Sequence, residues 1–282
     1  MDGVGSVRSV LTLMAVHAHP DDEVISTGGV LARAAAAGIR TVLVTFTDGG
    51  AGDGPGGIKP TDPAHDAAAV ASTRQGELDA SCAILGVEHV ELLAYRDTGM
   101  PDWPTAGSPQ AFSNLSVDEV RPRLDALLEQ YRPDVLVTYG ENGGSGHADH
   151  VMVHRVAMAS VAATGIPRKV YWGAIPRSTL EAGRAAAEAA GMDPSSVPDP
   201  SFGTPDESIA AVVDVRAHAR QKRDALAAHA SQSDGAFLLS LPEALGSQVF
   251  GHESFVRAVP PWSGGPREDD LFAGLAPGTP AG

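Results

Sequence analysis

The chain has one cysteine, Cys82, in 282 residues. That excludes an intrachain disulfide framework and a cysteine-built zinc knuckle, so any zinc site must be assembled from histidine and carboxylate. Long apolar runs are also missing. Every hydrophobic stretch falls well short of the ~20 residues a helix needs to cross a bilayer, and no membrane association is expected. The run at residues 10–16 is too brief for a signal peptide, leads straight into His17 and His19, and has no small-residue cleavage site behind it. It reads as a buried strand, and the protein as cytoplasmic. Basic charge is scarce too, with 20 Lys and Arg against 35 Asp and Glu and a formal net charge of −15. A nucleic-acid partner needs a basic face to meet phosphates, so none is expected.

What is present is material for a core. Hydrophobic residues make up 43% of the chain, enough for one large α/β domain or a domain with a smaller lobe. The first half alternates short β-branched runs with helical patterns, the signature of βαβ units and a mainly parallel sheet. Strands are expected at 10–16, 41–46, 90–94 and 135–139, and helices at 24–37, 72–85, 117–130 and 150–163. Ser116 followed by Glu119 predicts a capping box, and Gly38 and Gly86 stand where helices should end. After Tyr171 the pattern weakens: a helix at 179–190, a strand at 210–214 and a helix at 217–230 are expected. The expected organisation is a Rossmann-like catalytic core over residues 1–175, a smaller C-terminal part over 176–259 packing on it, and a disordered Pro/Gly-rich tail over 260–282.

Polar chemistry concentrates in two turns, each directly after a predicted strand. In open α/β sheets ligands bind at the carboxyl ends of strands, which is where both turns fall. The first carries His19, Asp21, Asp22 and Glu23, and the second carries His147, Asp149 and His150. Three consecutive acids repel one another. A helix N-terminus relieves part of that repulsion, and a divalent cation relieves far more. Helix capping accounts for one or two of these carboxylates but not for His19 or for a second histidine-rich turn. An open zinc site takes three ligands from His and carboxylate. His19 and Asp22 can converge on one ion, with either His147 or His150 as the third ligand. Asp21 stands where a base for water would, and the remaining histidine, protonated, would face a developing oxyanion.

At these residues the chain resembles the LmbE-like, or PIG-L-like, N-acetylglucosaminyl deacetylases, which include the deacetylase and the conjugate amidase of mycothiol metabolism. The motif AHPDDE stands unchanged at residues 18–23, and its paired HxDH motif is His147-Ala148-Asp149-His150. The resemblance implies a Rossmann-like fold and zinc-dependent amide hydrolysis, with His19, Asp22 and His150 as ligands, Asp21 as general base and His147 as the cationic partner of the tetrahedral intermediate. It also implies substrate contacts at Arg74, Asp97 and Asn142. Asp149 is expected either to orient a histidine from behind the metal or simply to cap a helix. The chain departs from the mycothiol enzymes at Ser145, where they usually carry a tyrosine or another bulkier residue, and at residues 48–52, where relatives often have more acids.

Other histidines read as structural: His17 as a buried partner near the site, His154 as a satisfied side chain one turn after His150, with a site-lining role for His229 left open. The Gly-rich run at 49–57 lacks GxGxxG spacing, and His147 breaks a near match to GxSxG, which disfavours dinucleotide and serine-hydrolase readings. The expected function is removal of an N-acyl group, foremost acetyl, from an amino sugar or its conjugate. Zn2+ is the expected cofactor, Fe2+ or another divalent metal being an acceptable substitute. A small-molecule amino sugar is the expected partner. The alternatives are an amidase for a bulky thiol-sugar conjugate and a non-hydrolytic metal-binding protein. Residues 48–63 and 103–114 are expected to form the rim that selects the substrate.

Overall fold

β1 (Thr12–His17) is buried along its whole length, as a parallel strand covered on both faces must be. It lies within a seven-stranded sheet in the computed structural model, which describes residues 10–241 and 243–276. β2 (Arg40–Thr47), β3 (His89–Tyr95), β4 (Val135–Tyr139) and β5 (Lys169–Ala174) run parallel to β1. β7 (His252–Val259) is antiparallel to β5 and to β6 (Ala211–Asp214). The strand order is β3-β2-β1-β4-β5-β7-β6. The expected α/β, mainly parallel, Rossmann-like architecture is therefore present, with two further strands added beyond β5.

Alternation along the strands divides the core between the two faces. Leu13, Ala15 and Leu43 pack with α1 (Asp22–Ala36), α2 (Ala67–Leu85) and α6 (Ala219–Ala228). Met14, Val16, Val42 and Val44 pack on the opposite face with α3 (Val117–Tyr131) and α4 (Ala148–Thr164). The Ser116–Glu119 capping box opens α3 as predicted, and Gly86 closes α2 at φ 76°. α2 begins five residues earlier than the apolar spacing indicates. Asp66 accepts from the amides of Ala68 and Ala69, and an alanine-rich first turn shows no hydrophobic periodicity to read.

The C-terminal half adds α5 (Arg177–Ala189), α7 (Ser233–Ser240) and α8 (Glu243–Gly251). The sequence reading missed β5, α7, α8 and β7. β7 carries Glu253 and Arg257 inside its apolar pattern, and both are satisfied across space, by Lys222 at 2.7 Å and Glu268 at 2.7 Å. The expectation of a disordered tail from Pro260 fails for residues 260–276. Leu271 is buried in the core, and Glu268 accepts from Lys169 at 2.8 Å and from Tyr171 at 2.5 Å. Residues 277–282 lie outside the described residues.

Candidate metal centre

The order of strands reverses between β1 and β4, so the chain leaves these neighbours in opposite directions and opens a crevice at their carboxyl ends. β1 delivers the His19–Asp22 turn there, and β4 delivers the loop that ends in His147 and α4.

Three side-chain atoms meet in the crevice. His19 Nδ1 lies 3.3 Å from Asp22 Oδ2, His150 Nε2 lies 3.4 Å from the same oxygen, and the two nitrogens are 3.2 Å apart. Tetrahedral zinc with bonds of about 2.0–2.2 Å sets its ligand atoms roughly 3.3–3.6 Å apart, so this triangle has the size that a small divalent ion requires. His19, His147 and His150 form a second close group, and His19, Asp97 and Asp149 a third. Those two fit a metal less well. His147 Nδ1 already accepts the Asp149 amide at 3.2 Å. In the third group the two carboxylates are the partners of His19 Nε2, at 3.5 Å for Asp97 and 3.2 Å for Asp149, so that nitrogen is already engaged.

The neighbours orient the triangle. His19 Nε2 faces Asp149 Oδ2 at 3.2 Å and Asp97 Oδ1 at 3.5 Å, which leaves Nδ1 for the crevice. His150 Nδ1 is 3.0 Å from the Gly143 carbonyl, which leaves its Nε2 free. Burial opposes charge on His19, but Asp97, Asp149 and Asp22 outweigh it and push the pKa well above the ordinary histidine value. Burial likewise opposes the Asp22 carboxylate, and His150 and His19 hold it well below its usual range. This cluster recruits positive charge, as a cation site must.

Asp21 sits beside the triangle with its carboxylate against Arg74 Nη2 at 3.0 Å. Burial raises its pKa to about 6, Arg74 opposes the rise and Asp22 adds to it. His147 stands beside His19, with ring centroids 4.7 Å apart. Burial, with His19 and His150 nearby, lowers its pKa to about 4. Because Nδ1 accepts a backbone N–H, the ring carries its hydrogen on Nε2.

Arg74 is buried and directs its guanidinium at the Pro20 carbonyl (2.5 Å), the Gly49 carbonyl (2.9 Å) and Asp21. Asp97 is buried behind His19; burial alone would raise its pKa, but His19 and Arg74 hold it far below the carboxylate range. Both residues, expected to touch substrate, pack against the first motif turn and the loop at residues 49–51. Asn142 is exposed at the tip of the β4 loop, where its Oδ1 accepts the Gly144 amide at 3.0 Å. It borders a cavity of about 410 Å³ shared with Trp172 and Phe202. Ser145 is exposed in the same loop.

Sequence reasoning gave no role to Tyr139, Thr98 or Glu23. The Tyr139 hydroxyl accepts the Ala18 amide and donates to Asp22 Oδ2, both at 2.8 Å. The Thr98 hydroxyl and amide both donate to Asp149. Glu23 is buried against His229 at 2.7 Å and Ser81 at 2.6 Å. For Tyr139, a polar aromatic ending a buried strand was an available signal. The other contacts join separate elements and left none.

Residues 14–161 match the family model described as GlcNAc-PI de-N-acetylase, PIG-L. A 1D-myo-inositol 2-acetamido-2-deoxy-alpha-D-glucopyranoside deacetylase from Geodermatophilus obscurus is 42% identical to this chain, covering 93% of it and 97% of the relative. Among solved structures, the N,N'-diacetylchitobiose deacetylase from Pyrococcus horikoshii superposes with a TM-score of 0.53 at 21% identity, covering 94% of this chain and 86% of that one. The 4-carboxy-2-hydroxymuconate hydratase from Pseudomonas putida superposes at 0.60 and 16% identity, covering 91% and 100%. A deacetylase and a hydratase share this fold, so the fold alone does not select the reaction.

Proposed function

The chain belongs to the PIG-L family of GlcNAc-PI de-N-acetylases, and from that premise we propose that it deacetylates 1D-myo-inositol 2-acetamido-2-deoxy-alpha-D-glucopyranoside with zinc held by His19, Asp22 and His150. It is a metal-dependent hydrolase that removes an N-acyl group from an amino-sugar conjugate. Full-length similarity to the Geodermatophilus enzyme supports the substrate.

A divalent ion held by His19, Asp22 and His150 would supply Lewis acidity, lowering the pKa of water towards ~7 and polarising the acyl carbonyl. Asp21 accepts the proton of the attacking water, and a carboxylate whose pKa is raised to about 6 suits that task near neutral pH. Arg74 fixes the direction of the Asp21 carboxylate. The water oxygen bonds to the acyl carbon, and the carbonyl oxygen, gaining charge, takes a hydrogen bond from His147 Nε2–H. The C–N bond then breaks, the proton held by Asp21 passes to the leaving nitrogen, the remaining hydroxyl proton follows it, and acetate and the protonated amine depart. His147 needs no positive charge for this, since a neutral imidazole donates from Nε2. Asp149 and Gly143 keep His19 and His150 in the tautomers the ion requires.

The observation that carries this reading is the triangle of 3.2–3.4 Å with Asp21 beside it. Zinc and iron content of purified wild type and His150→Ala, with acetate release from the inositol glycoside followed on both, tests it. Near-stoichiometric zinc that is lost with activity in the variant is the expected result. Equal metal in both proteins would remove His150 from the ligand set. Metal without acetate release, but with cleavage of a bulky thiol-sugar conjugate, would make the protein an amidase.

A further inference from the structure

We propose that His229 is a positioning residue for hydrolysis, acting through Glu23 to hold the backbone of Asp21 in the conformation that general-base chemistry needs. This rests on Asp21 being the base, as proposed above. His229 closes α6, far from the active-site motifs in the sequence and outside residues 14–161 that match the family model.

The argument begins at Asp21, whose backbone sits at φ 118°, ψ −30°. Residues other than glycine avoid this region, and one persists there only when its surroundings over-determine it. The conformation has a use. Two consecutive aspartates must diverge, with Asp22 turned back onto the His19 amide at 2.9 Å and Asp21 aimed at Arg74. Arg74 holds the turn from one side by binding the Pro20 carbonyl and the Asp21 carboxylate. From the other side, Glu23 Oε2 accepts the Asp21 amide at 2.8 Å.

That carboxylate would be a loose clamp if it could rotate, and it cannot. Glu23 Oε1 is bound by Ser81 Oγ from α2 at 2.6 Å and by His229 Nε2 at 2.7 Å, and the His229 and Glu23 side chains are wholly buried. His229 is itself set by the segment that follows it. Ser231 donates to Glu77 through both its amide and its hydroxyl, and Gln232 Oε1 accepts the Asp53 amide. A chain of contacts therefore runs from the C-terminal half to the backbone of the base without touching the ligand triangle.

The test compares His229→Leu, His229→Gln and Asp21→Asn with wild type in kcat, KM and metal content, and follows amide hydrogen exchange at residue 21 in metal-free protein. Expected for His229→Leu are a kcat lower by on the order of 10–100-fold, KM within about twofold, metal content at the wild-type level, and Asp21 amide exchange at least about tenfold faster while amides of β2 are unchanged. His229→Gln keeps an N–H donor for Glu23 and should recover most of kcat. A folded His229→Leu with wild-type kcat and wild-type exchange overturns the proposal, as does a Gln variant as impaired as Leu. If His229→Leu does not fold, Glu23→Met, close in volume but unable to accept, must show the same kcat loss and faster exchange. Full activity in Asp21→Asn would instead remove the base assignment, a distinct failure from wild-type behaviour at His229.

Discussion

His19 and Asp149 stand 130 residues apart in sequence and meet at 3.2 Å, imidazole Nε2 against carboxylate Oδ2, with Asp149 fully buried. A carboxylate in that place fixes the ring orientation and raises the basicity of the opposite nitrogen, Nδ1, which faces the crevice. Asp149→Ala should therefore weaken metal affinity on the order of 10–100-fold while leaving all three proposed ligands in place. A competition titration against a chromophoric chelator reads this directly. Unchanged affinity would reduce Asp149 to an acid in the first turn of α4.

Tyr139→Phe isolates one hydroxyl. The ring stacks on His150 with centroids 4.3 Å apart, and phenylalanine preserves that contact. The substitution leaves the buried Ala18 amide without its acceptor and removes one donor from Asp22, which keeps the His19 amide. A loss of about 1–3 kcal/mol in urea unfolding is expected, the usual penalty for an unsatisfied buried group. Stability equal to wild type would mean that the amide finds another partner.

Stability below neutral pH should report on Glu268. Burial raises its pKa, but hydrogen bonds from Lys169 and Tyr171 and the charge of Lys169 outweigh that and leave it lowered in the folded protein. A depressed acid contributes stability above its unfolded pKa of about 4.3. The contribution disappears as pH falls through the folded value. Glu268→Gln should thus be less stable than wild type at pH 7, and the gap should close as pH drops below about 4.3. Denaturation midpoints across the range decide it, and a gap that widens in acid would refute the assignment.

Two helical glycines should respond to alanine with opposite signs. A Cβ on Gly29 in α1 would lie 2.5 Å from Val215 Cγ2, so Gly29→Ala should lose about 1–3 kcal/mol to overpacking despite better helix propensity. Gly76 in α2 is exposed, and a Cβ there meets nothing within 4 Å. Gly76→Ala should gain roughly 0.5–1 kcal/mol. Thermal unfolding of both variants is sufficient, and a shared sign would discredit the packing at Val215.

The parts legible in the sequence were those written locally. β1 and β4 are short apolar runs bounded by turns, and Ser116 and Glu119 declare the start of α3 three residues apart. The two histidine-bearing turns were legible because charged side chains crowd a strand end where no core is served. β7 was not legible: its alternation is interrupted by charges whose partners, Lys222 and Glu268, come from elsewhere in the chain. The segment after Pro260 was misread because Pro and Gly content reports local propensity, while the burial of Leu271 depends on a groove built by other residues.

Composition and motif thus determined the class of protein by themselves: an acidic α/β chain with one cysteine and two polar turns of metal-ligating side chains. Tertiary structure decided the roles. Only the reversal of strand order between β1 and β4 brings His150 within 3.4 Å of Asp22. Only burial distinguishes Arg74 and Asp97, packed against the first motif turn, from Asn142, exposed at the tip of the β4 loop. The physical reason is the same in each case. A side chain's charge and hydrogen-bonding capacity belong to its residue type, but its pKa, its partner and its access to solvent belong to the atoms that the fold packs around it.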